Sequence, residues 1–583
     1  MSDLLLDWLD RAGRHPEGGL RFLDRAERET WFGWAEVRER AIAICGGLRA
    51  LGIAPGDRVA LVFPTSIEFF DAFFGTLLAG AAPVPLYPPV RLGRMIEYLH
   101  RTARMLERSG ARLALADSRV RRVLGEAVAL AKPELGCLVL QDLPREGVRP
   151  VRPSASDLAL VQFSSGTTVD PKPVALSHQA IAAQTGILNG LWTDTAELRH
   201  SCVSWLPLYH DMGLIGCVFP ALSRDTTLTL IGPELFVARP ALWLRALSRY
   251  RGTISPAPNF AYGLCVHRVD DAEMAGADLS GWRTALNGAE SVAPSVLRVF
   301  RERFGRWGFR PEALTPVYGL SEAALAVTFS DLDRPFRTGR FDREALAREG
   351  AAREEARGRE IVSVGRPLPG FRLRIVDEEG RDLPDGRVGR VWIQGPSLMD
   401  GYLGDPEATA RALRDGWLDT GDLGFLHDGE LFLTGRAKDV VILRGRNHAP
   451  DEIEVAVEGV PGVRTGCVAA ASWLPEGAEG EVLGLFVEVS RQATPAQREA
   501  LPSGCREAVL GATGLAVDHV VLLEPGTIPR TSSGKLRRGE TLRLYLAGEL
   551  APPDSVTPFR LAGAVARSSL AYARLRWERR GEG

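Results

Sequence analysis

WLDTGDLGFLHDGELFLTGRAKDVVILRGRN, Trp417 to Asn447, contains the change of texture on which the fold turns. Before it, FRLRIVDEEGRDLPDGRVGRVWIQG reads as short strands joined by Gly/Asp turns, an antiparallel β unit. The texture shifts near Thr434. From Gly435 the order is strand (DVVILRG), helix (DEIEVAVEG), two strands (GCVAAAS and VLGLFVEVS), helix (QREALPSGCREAVL) and strand (VDHVVLLE). This predicts a large N-terminal body over 1–434 and a small α+β C-terminal domain over 435–583.

Upstream, helix and strand alternate. Trp34 to Leu51 has apolar residues at helical spacing and PGDRVALVF then turns into a strand; IEFFDAFFGTLLAG precedes APVPLY, ARMLERSG precedes ARLALAD, and RERFGRWGF precedes LTPVYG. Such alternation predicts α/β layers with parallel strands. The apolar run from Ala72 to Val90 is broken by Pro83, Pro85, Pro88 and Pro89, so it reads as a buried helix running into an extended segment and not as a membrane span. Asp331 to Glu360 is dominated by charge, Ala and Gly and reads as a surface excursion. The tail after Pro552, with Arg560, Arg567, Arg574, Arg576, Arg579 and Arg580, reads as a solvated helix face or a frayed end.

The chain has 583 residues, 45% hydrophobic and 25% charged, the balance of a globular protein with sizeable cores. Lys and Arg number 71 against 73 Asp and Glu, a net −2, so no global field favours nucleic acid or an anionic membrane, and any such contact must be local. The seven cysteines are scattered, without CxxC or zinc spacing, which fits reduced thiols in a cytoplasm. MSDLLLDWLDRAGRH has acids where a secretory signal carries bases.

FSSGTTVDPKPVALSH, Phe163 to His178, offers hydroxyls, unhindered N–H groups and one lysine, the components of a phosphate-holding loop. It is not the NTPase P-loop, because Pro171 and Pro173 flank Lys172 where Gly and Ser/Thr are needed. Alone it reads as an ordinary polar turn. Further segments follow it in order: SWLPLYHDMGLIG, TALNGAE, VYGLSEAAL, the stretch quoted first, and IPRTSSGKLRR. This ordered set resembles the adenylate-forming superfamily of acyl-CoA synthetases, peptide-synthetase adenylation domains and luciferase, from about Thr30 to Leu550. PVPLYPPVRLGRMIEYLHRTARML, PNFAYGLC, LSGWRTALNGAE and RGRNHAPDEIE are similar to fatty acyl-AMP ligases, and the 331–360 segment lies where that family carries an insertion.

The resemblance implies ATP and Mg²⁺ as cofactors, with Lys535 and Glu322 as catalytic residues: Lys535 reaching the carboxylate and α-phosphate oxygens, Glu322 holding the metal. It implies nucleotide contacts from Ser164, Ser165, Gly166, Thr167, Thr168 and Lys172; an adenine site between Tyr318 and Asn287, Gly288 and Ala289, with Gly319 and Ser321 beside it; and ribose contacts from Asp422 and Arg436. His210, Asp211 and Met212 match the acyl-substrate site, with a tunnel near Trp205, Ile215, Phe260 and Tyr262, and Lys438 matches the hinge of the small domain. Val169 and Pro173 replace usual glycines.

The family passes its acyl group to the phosphopantetheine of an acyl carrier protein, here expected as a separate holo protein since no carrier domain follows Lys535. Fatty acid is the implied substrate, and no nucleic acid partner or transmembrane segment is expected. The alternatives are an acyl-CoA synthetase and a catalytically inactive relative that binds a carrier protein.

Overall fold

The computed structural model describes residues 4–15, 17–89, 92–147, 149–164, 171–195, 197–443, 446–475, 480–531 and 534–581. Ser165, Gly166, Thr167, Thr168 and Val169 lie outside them.

Among the described residues, a nine-stranded sheet runs in the spatial order Arg366–Pro367, Ala326–Phe329, Leu314–Gly319, Thr284–Asn287, Ile254–Ala257, Cys202–Ser204, Thr227–Ile231, Gly19–Leu23, Glu29–Gly33. From Leu314–Gly319 across to Gly19–Leu23 the pairs are parallel, and both margins are antiparallel. TLTLI and TALN carry no charge and are buried almost throughout, because parallel strands are covered on both faces. A second parallel sheet orders Ala82–Pro85, Arg58–Val62, Leu113–Ala116 and Cys137–Leu138. Pro83 and Pro85 lie in its outermost strand, where a missing N–H is tolerated. The preceding helix, Ile67–Leu78, is buried almost entirely, with Phe69, Phe70, Phe73 and Phe74 packed on one another. The apolar run is therefore core, and among the described residues no helix is long and apolar enough to cross a membrane.

The antiparallel unit comprises Arg372–Val376, Gly389–Gln394, Trp417–His427 and Leu413–Arg414, with Glu430–Arg436 paired on Trp417–His427. Beyond it, Val463–Trp473 and Val482–Val489 pair antiparallel and His519–Leu523 adds in parallel. Helices Pro450–Glu458 and Pro495–Thr513 cover these strands with a core of their own around Ile453, Val457, Leu485, Leu501 and Val509. A Thr494–Gln497 capping box starts the second helix, which tolerates Pro502 in its first half.

One sequence expectation is corrected and another is extended. The 331–360 segment is more than a surface excursion: Thr338–Phe341 and Arg359–Val362 form an antiparallel pair, and Phe341 is fully buried against Phe425 and Phe432. Phe341, Leu346 and Ala352 join one small core, Leu332 and Phe336 pack against the main one, and Glu360 takes Arg298 and Arg340. In the tail the solvated helix face is present, with Arg560, Arg567, Arg574 and Arg576 exposed, and the opposite side of helix Pro558–Gly581 docks along helix Ser118–Ala131. There Gly125 N–H donates to Ser568 Oγ (2.7 Å) and Tyr572 Oη to Arg121 O (3.2 Å). Gly125 is needed at this contact, since a Cβ would meet Ser568 O at 2.2 Å.

Candidate active site

The carboxyl ends of parallel strands are where α/β sheets open a ligand crevice. Thr284–Asn287 leads into Gly288 and Ala289; Leu314–Gly319 ends on Tyr318 and Gly319 and continues to Ser321 and Glu322; Cys202–Ser204 is followed by His210, Asp211 and Met212. These segments, far apart in sequence, border one cavity of about 440 Å³. Ser164, Lys172, Arg436, Lys438 and Lys535 line it too. Gly319 cannot carry a side chain, as a Cβ would meet Leu325 O at 1.8 Å. Ala289 and Ala324 hold φ of 69° and 63°, conformations costly for a residue with a Cβ and common at ligand sites.

Part of the lining is polar. Tyr318 Oη donates to Asp422 Oδ2 at 2.7 Å and Arg436 Nε to Asp422 Oδ1 at 3.0 Å. The second contact follows from register, because Asp422 and Arg436 are direct partners across the hairpin. Asp422 thus lies just behind the wall, tied to two of its members. Tyr402 Oη donates to Glu322 Oε1 at 2.9 Å, and Lys172 Nζ sits 4.2 Å from the centre of the Tyr402 ring. Burial pushes the Glu322 carboxyl above its usual range, against the pull of Tyr402 and Arg436.

Beside them Asp211 accepts from Ser321 Oγ (2.5 Å) and its own Met212 N–H (2.8 Å), and His210 Nδ1 lies 2.6 Å from its Oδ1. Burial opposes ionisation of Asp211, but His210, then the Ser321 hydroxyl and Lys535, outweigh it and hold the carboxyl well below the usual range. Lys535 enters from the C-terminal region on a turn in which its N–H donates to Thr531 Oγ1 (3.0 Å). Burial, then Arg436, lowers the Lys535 ammonium below its usual range, while Asp211, Glu290 and Asp422 support it.

The lining also includes the apolar Leu188, Trp192, Pro256, Leu286 and Phe329, with Gly216 among them. Trp192 is fixed there by its Nε1 bond to Thr284 Oγ1 (3.0 Å). Of the tunnel residues expected from sequence, Met212 is in the wall, but Trp205, Ile215, Phe260 and Tyr262 are not. Trp205 stacks on Phe236 at 3.9 Å, and Tyr262 is buried among Trp243, Trp282 and Phe300 with its hydroxyl on Leu286 O. Large aromatics near the site were drawn into the core instead. Asn287 also turns away from the cavity, its Nδ2 donating to Asn259 Oδ1 at 3.2 Å. Sequence reasoning missed Tyr402, Trp192 and Phe329; Tyr402 lies 80 positions from Glu322, and no spacing announces the pair.

The phosphate-like loop is described only at its neck. Ser164 N–H donates to Lys172 O (2.9 Å) and Lys172 N–H to Ser164 Oγ (3.3 Å), closing the hairpin between Leu158–Phe163 and Pro173–Ser177. Pro173 is the first residue of its strand, a position that tolerates a missing donor.

The AMP-binding enzyme family model matches residues 9–403. The chain belongs to the AMP-binding enzyme family. The medium-chain-fatty-acid–[acyl-carrier-protein] ligase JamA of Moorena producens is 35% identical over 553 residues, covering 91% of this chain and 92% of JamA. The long-chain-fatty-acid–AMP ligase FadD26 of Mycobacterium marinum is 35% identical over 546 residues, covering 88% and 91%. A solved structure from a study of fatty acyl-adenylate ligases of E. coli and L. pneumophila superposes with a TM-score of 0.86 at 35% identity, covering 94% of this chain and 98% of that one. This AMP-binding enzyme is an acid-activating, adenylate-forming ligase of the fatty acyl-AMP ligase group, and such a ligase consumes ATP.

Proposed function

We propose that the ligase joins a fatty acid to AMP and then passes the acyl group to the phosphopantetheine thiol of a separate holo acyl carrier protein. The observation that carries this reading is the mixed lining of one cavity: Lys535, Glu322 and Arg436 border it together with the apolar Trp192, Phe329 and Leu188. An acid oxygen attacks the α-phosphorus of ATP, the bond to the bridging oxygen breaks, and pyrophosphate leaves with that electron pair. Negative charge meets negative charge, so a cation aimed at the reacting oxygens is worth most. Lys535 supplies it. Adenine stacks on Tyr318, and Asp422 and Arg436 engage the ribose.

Glu322 fits a Mg²⁺ site, being an oxygen donor whose buried charge a divalent cation would stabilise, with nucleotide phosphates completing the shell. When bound, the cation would neutralise the phosphates. Residues 1–434 would form the body and 435–583 the mobile domain, turning at Lys438 between adenylation and thiol transfer. Free cysteines suit a cytoplasmic setting.

Carrier transfer is favoured over CoA transfer by the 331–360 insertion. Arg343 Nε donates to Glu452 Oε1 (2.7 Å), and Arg359 pairs with Asp451 (3.4 Å) and Glu452 (3.5 Å), all on the first helix of the C-terminal region. These ion pairs oppose its free rotation. Convergence of Lys535, Glu322 and Arg436 on one cavity argues against an inactive relative.

The test is acid-dependent ATP–pyrophosphate exchange across fatty acids of graded length. Exchange with at least one acid, lost in Lys535→Ala when single-turnover adenylate is measured, is expected. No exchange with any acid contradicts the reading.

A further inference from the structure

Helix Pro558–Gly581 is docked along one side only. Ala564, Ser568 and Leu575 are buried against the body. At 3.6 residues per turn the opposite side carries Phe559, Ala566, Leu570, Ala573 and Trp577 in one line. All are exposed: Phe559 88%, Leu570 62% and Trp577 80% of their surface. Arg560, Arg567 and Arg574 recur at a seven-residue spacing along one flank of this stripe, and Arg576 stands on the other, all exposed. Phe559 and Trp577 bracket about 27 Å of helix at 1.5 Å per residue.

Large apolar side chains aligned in water mark an interaction surface. We propose that this face binds an anionic lipid bilayer, the helix lying in the plane of the headgroups with Phe559, Leu570 and Trp577 inserted and Arg560, Arg567, Arg574 and Arg576 against lipid phosphates. Arg560 already holds Asp554 (2.8 Å) and Arg567 holds Glu126 (2.7 Å), but both remain half exposed, and a guanidinium has five N–H donors. Charge points to an anionic occupant, since the whole molecule has a net −2 and the attraction is local to this helix. A second copy would set one arginine row against another. An acidic folded protein would have to bring carboxylates along both sides of a long apolar strip, whereas a headgroup layer presents phosphates on both sides at every point. The docked side fixes which face looks outward, so the helix lies on a membrane and does not enter it. The proposal does not depend on the acyl-transfer reading above.

The test is sedimentation of the full-length protein with vesicles of phosphatidylcholine alone, or of phosphatidylcholine mixed with phosphatidylglycerol, at low and high salt. Binding to the mixed vesicles, weakened by salt, is expected. Replacing the four arginines by Gln should reduce partitioning roughly 1000-fold, from the contribution of each basic residue near an anionic surface. Phe559→Ser with Trp577→Ser should weaken it by roughly tenfold or more through lost insertion. Because Phe559 and Trp577 face water and the Arg560 and Arg567 ion pairs are partly exposed and contribute little to stability, both variants should stay folded with a thermal midpoint near wild type and keep pyrophosphate exchange with a short, water-soluble acid. The proposal is overturned by absence of binding to mixed vesicles, by binding that both variants retain, by self-association that Phe559→Ser with Trp577→Ser disrupts in place of vesicle binding, or by capture of a holo carrier protein that needs the arginines while vesicles do not bind.

Discussion

Asp422→Asn probes the polar part of the cavity most sharply, because one carboxylate there serves two donors from different elements. Its oxygens take Tyr318 Oη at 2.7 Å and Arg436 Nε at 3.0 Å, and a carboxylate has acceptor capacity beyond these two bonds, which the proposed ribose contact would use. Asn keeps the shape but has only one acceptor oxygen, so its NH₂ must face either the guanidinium or the phenol. Breaking a fully buried ion pair costs about 3–5 kcal/mol. The Arg436 side chain is 41% exposed, so water recovers part of that cost here. A net loss nearer the value of a single charged hydrogen bond, roughly 1.5–3 kcal/mol, corresponds to about 10-fold to 150-fold in kcat/KM for ATP. The assay is acid-dependent ATP–pyrophosphate exchange with ATP varied, alongside the thermal midpoint to confirm folding. A folded Asp422→Asn variant with kcat/KM for ATP near wild type would refute the assignment of Asp422 to the ribose.

Lys535→Ala should slow single-turnover adenylation by about 100-fold to 1000-fold, as for loss of one transition-state charge stabiliser, and an unchanged rate removes it from the mechanism. Activity needs Glu322 ionised and Lys535 protonated; since the first is raised above 4.5 and the second lowered below 10.5, the pH–rate profile should be narrowed from both sides, with Lys535→Arg shifting only the alkaline limb. An alkaline limb that stays put in that variant contradicts the assignment. Arg343→Glu with Arg359→Glu should speed thiol transfer while leaving adenylation within about twofold, because these ion pairs lie away from the cavity; equal changes in both half-reactions would show that the contacts do not restrain the domain. His178, buried at the start of the helix His178–Gly190, is pushed down to about 4 by burial, so its folded value lies below its unfolded 6.5 and stability falls as pH drops from 6.5 toward 4. That linkage is worth about 2 kcal/mol between pH ~7 and ~5, and His178→Gln should remove it; unchanged acid sensitivity of the thermal midpoint would place the cause elsewhere.

The α/β body was legible because its strands are short apolar runs set off by turn residues and its helices repeat every three to four positions. The C-terminal order of strands and helices was legible for the same reason. What escaped depended on few residues or on distant ones. Within 331–360 the large apolar residues are few, Leu332, Phe336, Phe341 and Leu346 among them, and they are diluted by charge. The terminal helix reads as solvated because its docked side is built from Ala564, Ser568 and Leu575 while large apolar residues face outward. The polar side of the cavity follows ordered motifs and was accessible from sequence. Its apolar wall was not, since an aromatic such as Trp205 satisfies the same local pattern whether it faces a substrate or stacks on Phe236. Tyr402 was invisible because its partner Glu322 is defined only by tertiary contact.

The most direct test of the account offers the preformed acyl-adenylate on the enzyme two thiols at equal concentration, CoA and the phosphopantetheine arm of a holo acyl carrier protein, and measures where the acyl group goes. The account predicts acyl-adenylate that accumulates without a thiol and is consumed mainly by the carrier. Efficient formation of acyl-CoA in preference to acyl-carrier would contradict it.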